Sequence, residues 1–196
     1  MSKSPPPLPP RPILRPREPP LFEFSRLYNH DLVRLLIAEG ENPNARSSTG
    51  VTPLHFTCQI AEEKGCLVSN ILNENIQSRI ERTMKELVCF SYTEDQFVDL
   101  NPRDSEGRTP FIYACQSMNV AALRTFIEFH EKWIGRLDLN ARDMDGWSGL
   151  HYIAYLSDSA CINPHNLMDV SHAVHAELLK IKDSLDFNIR NLNGDT

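Results

Sequence analysis

Apolar residues along this chain recur at helical spacing in short blocks, and polar turn residues punctuate the blocks. Leu21, Phe22, Phe24 and Leu27 predict a first helix. Leu32, Val33, Leu35, Leu36 and Ile37 predict a second, starting at Asn29 or His30, with Gly40 as its C-cap and Pro43 fixing the turn. A third helix is expected from Thr52 to about Lys64. Val68, Leu72, Ile76, Ile80, Met84 and Val88 then follow at steps of four. Each such step drifts by about 40° around a helix, so five of them turn the stripe through about 200°. One straight helix would scatter these residues over half its surface, so a break at Asn73-Glu74-Asn75 is expected. Glu81, Arg82, Lys85 and Glu86 form the solvated face of the helix after the break, and Ser91 to Asp99, with Tyr92 and Phe97, is a loop. Further on, Thr109 to Ser117 predicts a short helix. A longer one starts near Asn119 and carries Val120, Leu123, Phe126, Ile127 and Trp133. The last pair is Leu150 to Ala154, then a helix from about Ser171 with Val174, Leu178, Leu179 and Ile181 on its apolar side.

The turns between these blocks repeat. Asn44-Ala-Arg46-Ser-Ser-Thr-Gly50, Asn101-Pro-Arg103-Asp-Ser-Glu-Gly107, Asn140-Ala-Arg142-Asp-Met-Asp-Gly146 and Asn188-Ile-Arg190-Asn-Leu-Asn-Gly194 all read Asn-x-Arg-x-x-x-Gly. Asn, Asp, Ser and Gly are turn formers, and Gly tolerates the positive φ of a chain reversal. Two copies continue into Thr-Pro: Val51-Thr52-Pro53-Leu54-His55 and Arg108-Thr109-Pro110-Phe111-Ile112. A third has the weakened form Trp147-Ser148-Gly149-Leu150-His151. Thr before Pro starts a helix, one supplying a capping oxygen and the other lacking an N–H to lose. Small residues follow, as at Cys58 and Cys115, and let neighbouring helices approach. Turn, short helix, second helix, turn is one unit of a solenoid.

Gly-x-Thr-Pro-Leu-His followed by small residues resembles the ankyrin repeat, and Asn-Ala-Arg-Asp before the next Gly is similar to its usual end. The resemblance covers residues 21–196. It implies an all-α ankyrin-repeat solenoid of helix pairs with hairpin tips. The units run about 21–49, 50–106, 107–145 and 146–193, with a next unit starting at 194. The family period is about 33 residues. From Gly50 to Gly107 is 57 residues, from Gly107 to Gly146 39, and from Gly146 to Gly194 48, so every full unit carries an insertion. The fourth unit's insertion, about 15 residues beyond the usual period, is expected within Ser157 to Val170.

Residues 1–20 hold nine of the fourteen prolines and no glycine or aromatic residue, so they are expected to be a disordered, polyproline-II-like tail. Within it Pro6, Leu8, Pro9 and Arg11 have the form of a ligand for a Src-homology-3-type domain, with prolines for an aromatic groove and Arg11 for an acidic pocket. The net charge of −6 argues against a general nucleic-acid or membrane-surface binder. Cys58, Cys66, Cys89, Cys115 and Cys161 are odd in number and form no Cys-x-x-Cys pair. They fit reduced, small apolar residues in a cytoplasmic setting.

No motif of nucleophilic, phosphate-binding or zinc-protease chemistry occurs, so the chain is expected to be non-enzymatic and to need no cofactor. Cys161, His165, His172 and His175 are weighed as metal ligands, but their spacing fits no common zinc site and no metal is assigned. His55 and His151 belong to the motif and are expected to hydrogen-bond turn backbone, and the recurring arginines are expected to be structural. Partner binding is assigned to the first exposed position after the motif, Phe56, Tyr113 and Tyr152, with Tyr155 and Trp147 beside them. Aromatics give large contact area at small entropic cost. The insertions alternatively fold over these rings as satellite core. The resemblance also implies a modification: asparaginyl hydroxylases act on the turn Asn of such repeats and favour a leucine eight residues upstream, which selects Asn44 with Leu36. The function expected is an adaptor that binds another protein. The alternative is the N-terminal targeting segment of a longer secreted bacterial effector, acting in the host cytoplasm, with its activity outside this chain.

Overall fold

The computed structural model describes residues 18–60, 73–89, 98–132, 136–158 and 164–196, with Asp158 and residues 164–168 described by their backbone alone. Eight α-helices are described. They are α1 (Pro20–Arg26), α2 (His30–Ala38), α3 (Pro53–Cys58), α4 (Glu74–Cys89), α5 (Pro110–Gln116), α6 (Val120–Lys132), α7 (Gly149–Asp158) and α8 (Pro164–Leu178), and a 3-10 segment, Leu179–Ser184, follows α8. Consecutive pairs form four units. The odd helices pack in one row, α1 on α3, α3 on α5 and α5 on α7; the even helices pack in a second, α2 on α4, α4 on α6 and α6 on α8. The core lies between the rows. Phe22, Leu54, Met84, Phe111, Leu123 and Phe126 are all buried there.

Local chemistry sets the helix ends. Thr109 Oγ1 accepts from the Ile112 N–H, Asn29 Oδ1 from the Leu32 N–H and Asn119 Oδ1 from the Ala122 N–H. Each satisfies an amide that the first helical turn leaves open. Gly40, at φ 97°, closes α2: its N–H reaches the Ile37 carbonyl and the Glu41 N–H the Leu36 carbonyl. Tyr28 (φ 52°) and Met118 (φ 50°) close α1 and α5 with the same pair of bonds, in a conformation ordinarily taken by glycine. Both side chains are buried, and that packing holds them there.

The break before Ile76 is present. Asn73 Oδ1 accepts from the N–H groups of Asn75 and Ile76 and starts α4, whose Ile80, Met84, Leu87 and Val88 face the core. Val68, Leu72, Tyr92, Phe97 and Trp133 lie outside the described residues, as do Cys66, Cys161 and the proline motif Pro6, Leu8, Pro9 and Arg11.

Four expectations need correction. Helix α3 ends at Cys58 rather than near Lys64: Gln59 turns extended (ψ 123°) and buries Ile60. Asn119 Nδ2 and Tyr28 Oη donate to the Cys58 and Gln59 carbonyls, satisfying the oxygens that the early stop leaves open. Helix α8 begins at Pro164 instead of Ser171, so much of the fourth insertion is helix. Leu27, Leu35 and Leu179 are exposed, not packed. Finally, α4's Glu81 and Lys85 are not simply solvated: they pair with Arg124 (3.0 Å) and Glu128 (2.8 Å) of α6.

Candidate functional site

The repeated turns form a ladder. In each, the residue directly after the arginine supplies an oxygen that closes the loop. Ser47 Oγ accepts from the Thr49 and Val51 N–H groups, Asp104 Oδ1 from Glu106 and Arg108, Asp143 Oδ1 from Asp145 and Trp147, and Asn191 Oδ1 from Asn193 and Asp195. Each rung bonds to the next through backbone: Ser105 N–H to the Thr49 carbonyl, Met144 to Glu106, and Leu192 to Asp145. Glycine is required where the rungs touch. Gly146 has φ 79°, and a Cβ there would lie 2.9 Å from the Leu192 nitrogen.

The side chains of the heptapeptide serve the same ladder. Arg46 Nη1 donates to the Arg103 carbonyl (2.8 Å) and Arg103 Nη1 to the Arg142 carbonyl (2.6 Å). Asn44 Oδ1 accepts from the Asp99 N–H, Asn101 Oδ1 from Asp138 and Asn140 Oδ1 from Asp186, each reaching into the following turn. Asn44 is half-buried in this role.

His55 and His151 have matching geometry. The Thr52 N–H donates to His55 Nδ1 (3.1 Å), so Nδ1 is the acceptor and Nε2 carries the proton, donating to the Arg108 carbonyl (3.1 Å). Burial lowers the His55 pKa from 6.5 to about 4, holding the ring neutral. In the fourth unit Ser148 and Asp195 replace Thr52 and Arg108 as partners of His151. The weakened motif there follows from packing: a Cβ on Gly149 would meet Cys115 Sγ at 2.6 Å.

The five aromatic candidates do not form one open row. Phe56 lies edge-on to Phe22 (5.8 Å), with the Arg26 guanidinium 4.3 Å over its ring. Tyr113 is 8% exposed, so its assignment to a binding surface gives way to a structural role. Its hydroxyl donates to Asp104 Oδ2 (2.8 Å), Arg108 lies over its ring, and burial together with that bond pushes its pKa up to about 12. Burial alone would raise the Asp104 carboxyl. The hydrogen bonds from the Arg108 amide, Tyr113, the Arg108 guanidinium and the Glu106 amide outweigh it and hold Asp104 below the usual carboxylate range. Tyr152 likewise donates to Asp143 Oδ2 (2.6 Å), and burial with that bond raises its pKa. This coupling was legible but unread: Asp precedes Tyr by nine residues in units three and four, whereas unit two has Ser47 and Phe56.

Trp147, Tyr152 and Tyr155 do come together. The indole lies 5.2 Å from Tyr152 and 5.7 Å from Tyr155 between ring centroids. With Leu156, Leu192, Gln116, Asp145 and Asn193 they line a groove of about 480 Å³. Tyr155 is 61% exposed and Leu192, on the next turn tip, 75%. Sequence reasoning missed Leu192 because its contact with Trp147's groove depends on the rung-to-rung bond. Leu192 and Met144 also flank a second hollow of about 390 Å³ that includes Arg142 and Asp143.

Among the described residues no group of three or more His, Cys, Asp or Glu has metal-binding geometry. His172 and His175 are exposed on α8, and His175 Nδ1 lies 2.7 Å from the Ser171 carbonyl; Cys161 and the side chain of His165 are outside the described residues. No helix among the described residues is long and apolar enough to cross a membrane.

Stacked helix pairs joined by a bonded ladder of turns define a helical-repeat solenoid. The sequence model of the family described as ankyrin repeats (3 copies) matches residues 21–163. The chain therefore belongs to the ankyrin-repeat family, whose repeats generally mediate protein–protein interaction. No curated protein matches the chain.

Proposed function

We propose that this chain is a non-enzymatic interaction module that binds a partner protein through the turn tips and inner face of its fourth unit. The observation that carries this reading is the groove of Trp147, Tyr152 and Tyr155, which leaves Tyr155 and Leu192 exposed beside the half-buried Trp147 and a half-buried Tyr152 whose hydroxyl is bonded to Asp143. Large aromatic surface next to polar groups such as Asp145 and Asn193 is the composition of binding hot spots. Phe56 and Tyr113 contribute through the stack rather than by contact. Cytoplasmic action fits the free cysteines Cys58 and Cys115, whose thiols burial holds in the protonated form.

The proline motif Pro6, Leu8, Pro9 and Arg11 is a second recognition element for a Src-homology-3-type domain, and two linked weak sites give avidity. Asn44 is the hydroxylation candidate, and mass spectrometry after enzyme treatment is expected to find one added oxygen there. Unmodified Asn44 removes that assignment.

The test of the main reading is co-purification with Tyr155→Ala and Leu192→Asp, with Phe56→Ala as comparison. Recovery of the partner is expected to fall for the first two and not the third. Equal recovery from all three, in protein with unchanged circular dichroism, would sink it.

A further inference from the structure

Each unit grips the next by the same two threads of hydrogen bonds, and the outer faces of the first and fourth units carry the matching halves. The first thread is backbone. The second residue after the turn arginine donates to the preceding turn: Ser105 N–H to the Thr49 carbonyl (2.8 Å), Met144 to Glu106 (2.9 Å) and Leu192 to Asp145 (3.1 Å). Ser48 is the same donor position in the first unit and Asn193 the same acceptor position in the fourth. The Ser48 N–H and the Asn193 carbonyl have no partner among the described residues. The second thread is the turn asparagine. Asn44, Asn101 and Asn140 Oδ1 accept from the Asp99, Asp138 and Asp186 N–H groups, each two residues before the next turn's asparagine. Asn42 holds that donor position in the first unit and Asn188 the acceptor position in the fourth. The Asn42 N–H and Asn188 Oδ1 likewise have no partner among the described residues. One outer face thus offers two donors and the other two acceptors, at the offsets that the three internal steps use.

Apolar side chains stand beside both sets. The residue before the turn asparagine is buried at Pro43, Leu100 and Leu139, whereas Phe187 is 59% exposed. Ala154 is exposed, where Cys58 and Cys115 at the same helix position are fully buried. With Leu150, Leu179 and Ile189, Phe187 and Ala154 line a hollow of about 300 Å³. On the first unit, Leu35 lies six residues after the N-cap Asn29, as Thr125 does after Asn119. Thr125 is buried and Leu35 is 50% exposed. One turn beyond Thr125, Glu128 pairs with Lys85 of α4, so this side of the helix looks toward the preceding unit. The backbone leaves room as well. A Cβ on Gly50, Gly107 or Gly146 would meet the next turn at 3.2, 3.2 or 2.9 Å, and on Gly194 it would meet nothing within 4 Å. A solenoid that stays single needs polar outer faces; this one keeps Leu35 on one and Phe187 and Leu179 on the other.

We infer that the first unit of a second copy docks on the outer face of the fourth unit, head to tail, and continues the ladder across the junction. The Ser48 N–H then meets the Asn193 carbonyl, the Asn42 N–H meets Asn188 Oδ1, and Leu35 lies against the face that carries Phe187. The interface already present three times within the chain specifies this occupant. Two fourth units facing each other would set the Asn193 and Asn188 acceptors against the same acceptors, with no donor between them. A head-to-tail contact does not close on itself, so copies add in series. The faces involved are the outer faces of the stack, and the inference stands whether or not the aromatic groove binds a partner.

The test is sedimentation velocity on the full chain between about 1 and about 200 µM, a range that spans weak contacts. The average mass of the wild type should rise with concentration and pass that of a dimer. Leu35→Glu spoils one face and Phe187→Glu the other, and each variant alone should stay monomeric. Both side chains are at least half exposed, so the fold should hold, which circular dichroism checks. Mixed in equal amounts, the two variants should form a dimer and nothing larger, because only one intact pair of faces remains. Asn188→Ala should weaken association about fivefold, the worth of one hydrogen bond, at unchanged thermal stability. A wild type that keeps the monomer mass throughout the range overturns the inference. So does growth that stops at the dimer, self-association of either single variant at the wild-type level, or a mixture of the two that stays monomeric.

Discussion

His55 converts the geometry of the ladder into a pH dependence. Its ring is fully buried and bridges two units, accepting from the Thr52 N–H and donating to the Arg108 carbonyl. Protonation would place a second proton on Nδ1, facing an amide that already donates to it, and burial opposes the charge further. The folded pKa is about 4 against 6.5 for the free side chain. The unfolded chain therefore takes up the proton first as pH falls. His55's contribution is fully present above pH 6.5 and is lost progressively down to about pH 4. At pH 5 the two forms differ by roughly 1.5 protonation decades, about 2 kcal/mol at 1.36 kcal/mol each. The assay is urea unfolding of wild type and His55→Gln at pH 7.5 and pH 5.0. At pH 7.5 the variant should be less stable by about 2 kcal/mol, from two broken hydrogen bonds. At pH 5.0 the gap should shrink by about 2 kcal/mol, to near zero. Taking the difference cancels every other titrating group. A gap that is the same at both pH values would refute the assigned tautomer and burial.

Three further outcomes test the ladder. Gly146→Ala meets both a positive φ and the Leu192 backbone at 2.9 Å, whereas Gly194→Ala, at φ 89°, meets nothing within 4 Å. Thermal unfolding should show a cost of about 1–2 kcal/mol for Gly194→Ala and about 3 kcal/mol for Gly146→Ala. Asn101→Ala removes the bonds to the Asp138 N–H and the Arg136 carbonyl, for a loss of about 2 kcal/mol by urea titration. Arg124→Ala breaks the pairs with Glu81 and Glu177 across the outer row. Because Arg124 is nearly half exposed, the loss should be only about 1 kcal/mol and should diminish in 1 M salt.

The repeated turn was the most legible part of the sequence, because its chemistry is local. Asn, Arg, Asp and Gly recur at fixed offsets, and each position has one task in the ladder. Thr before Pro marked α3 and α5 for the same reason. Helix ends set by distant residues were not legible. The end of α3 depends on Tyr28 and Asn119, 31 and 61 residues away from the carbonyls they satisfy. The early start of α8 lay inside an insertion that the family pattern does not describe. For the candidate site, the residue types were found but their exposure was not. Tyr113 and Tyr152 occupy equivalent positions and share the bond to a turn aspartate, yet Arg108 closes over the first while Trp147 stands beside the second. The residue after the turn glycine, Arg108 in the third unit and Trp147 in the fourth, thus separates the closed unit from the one that presents a groove.

The central claim is that the fourth-unit groove, and not a uniform inner face, carries recognition. The most direct measurement is the affinity of the co-purified partner for wild type, the Tyr155→Ala/Leu192→Asp double variant and Phe56→Ala, by titration calorimetry. Loss of two contact side chains at the centre of an interface should weaken binding at least about tenfold, with Phe56→Ala unchanged. Wild-type affinity in the double variant, with its fold intact, would contradict the account.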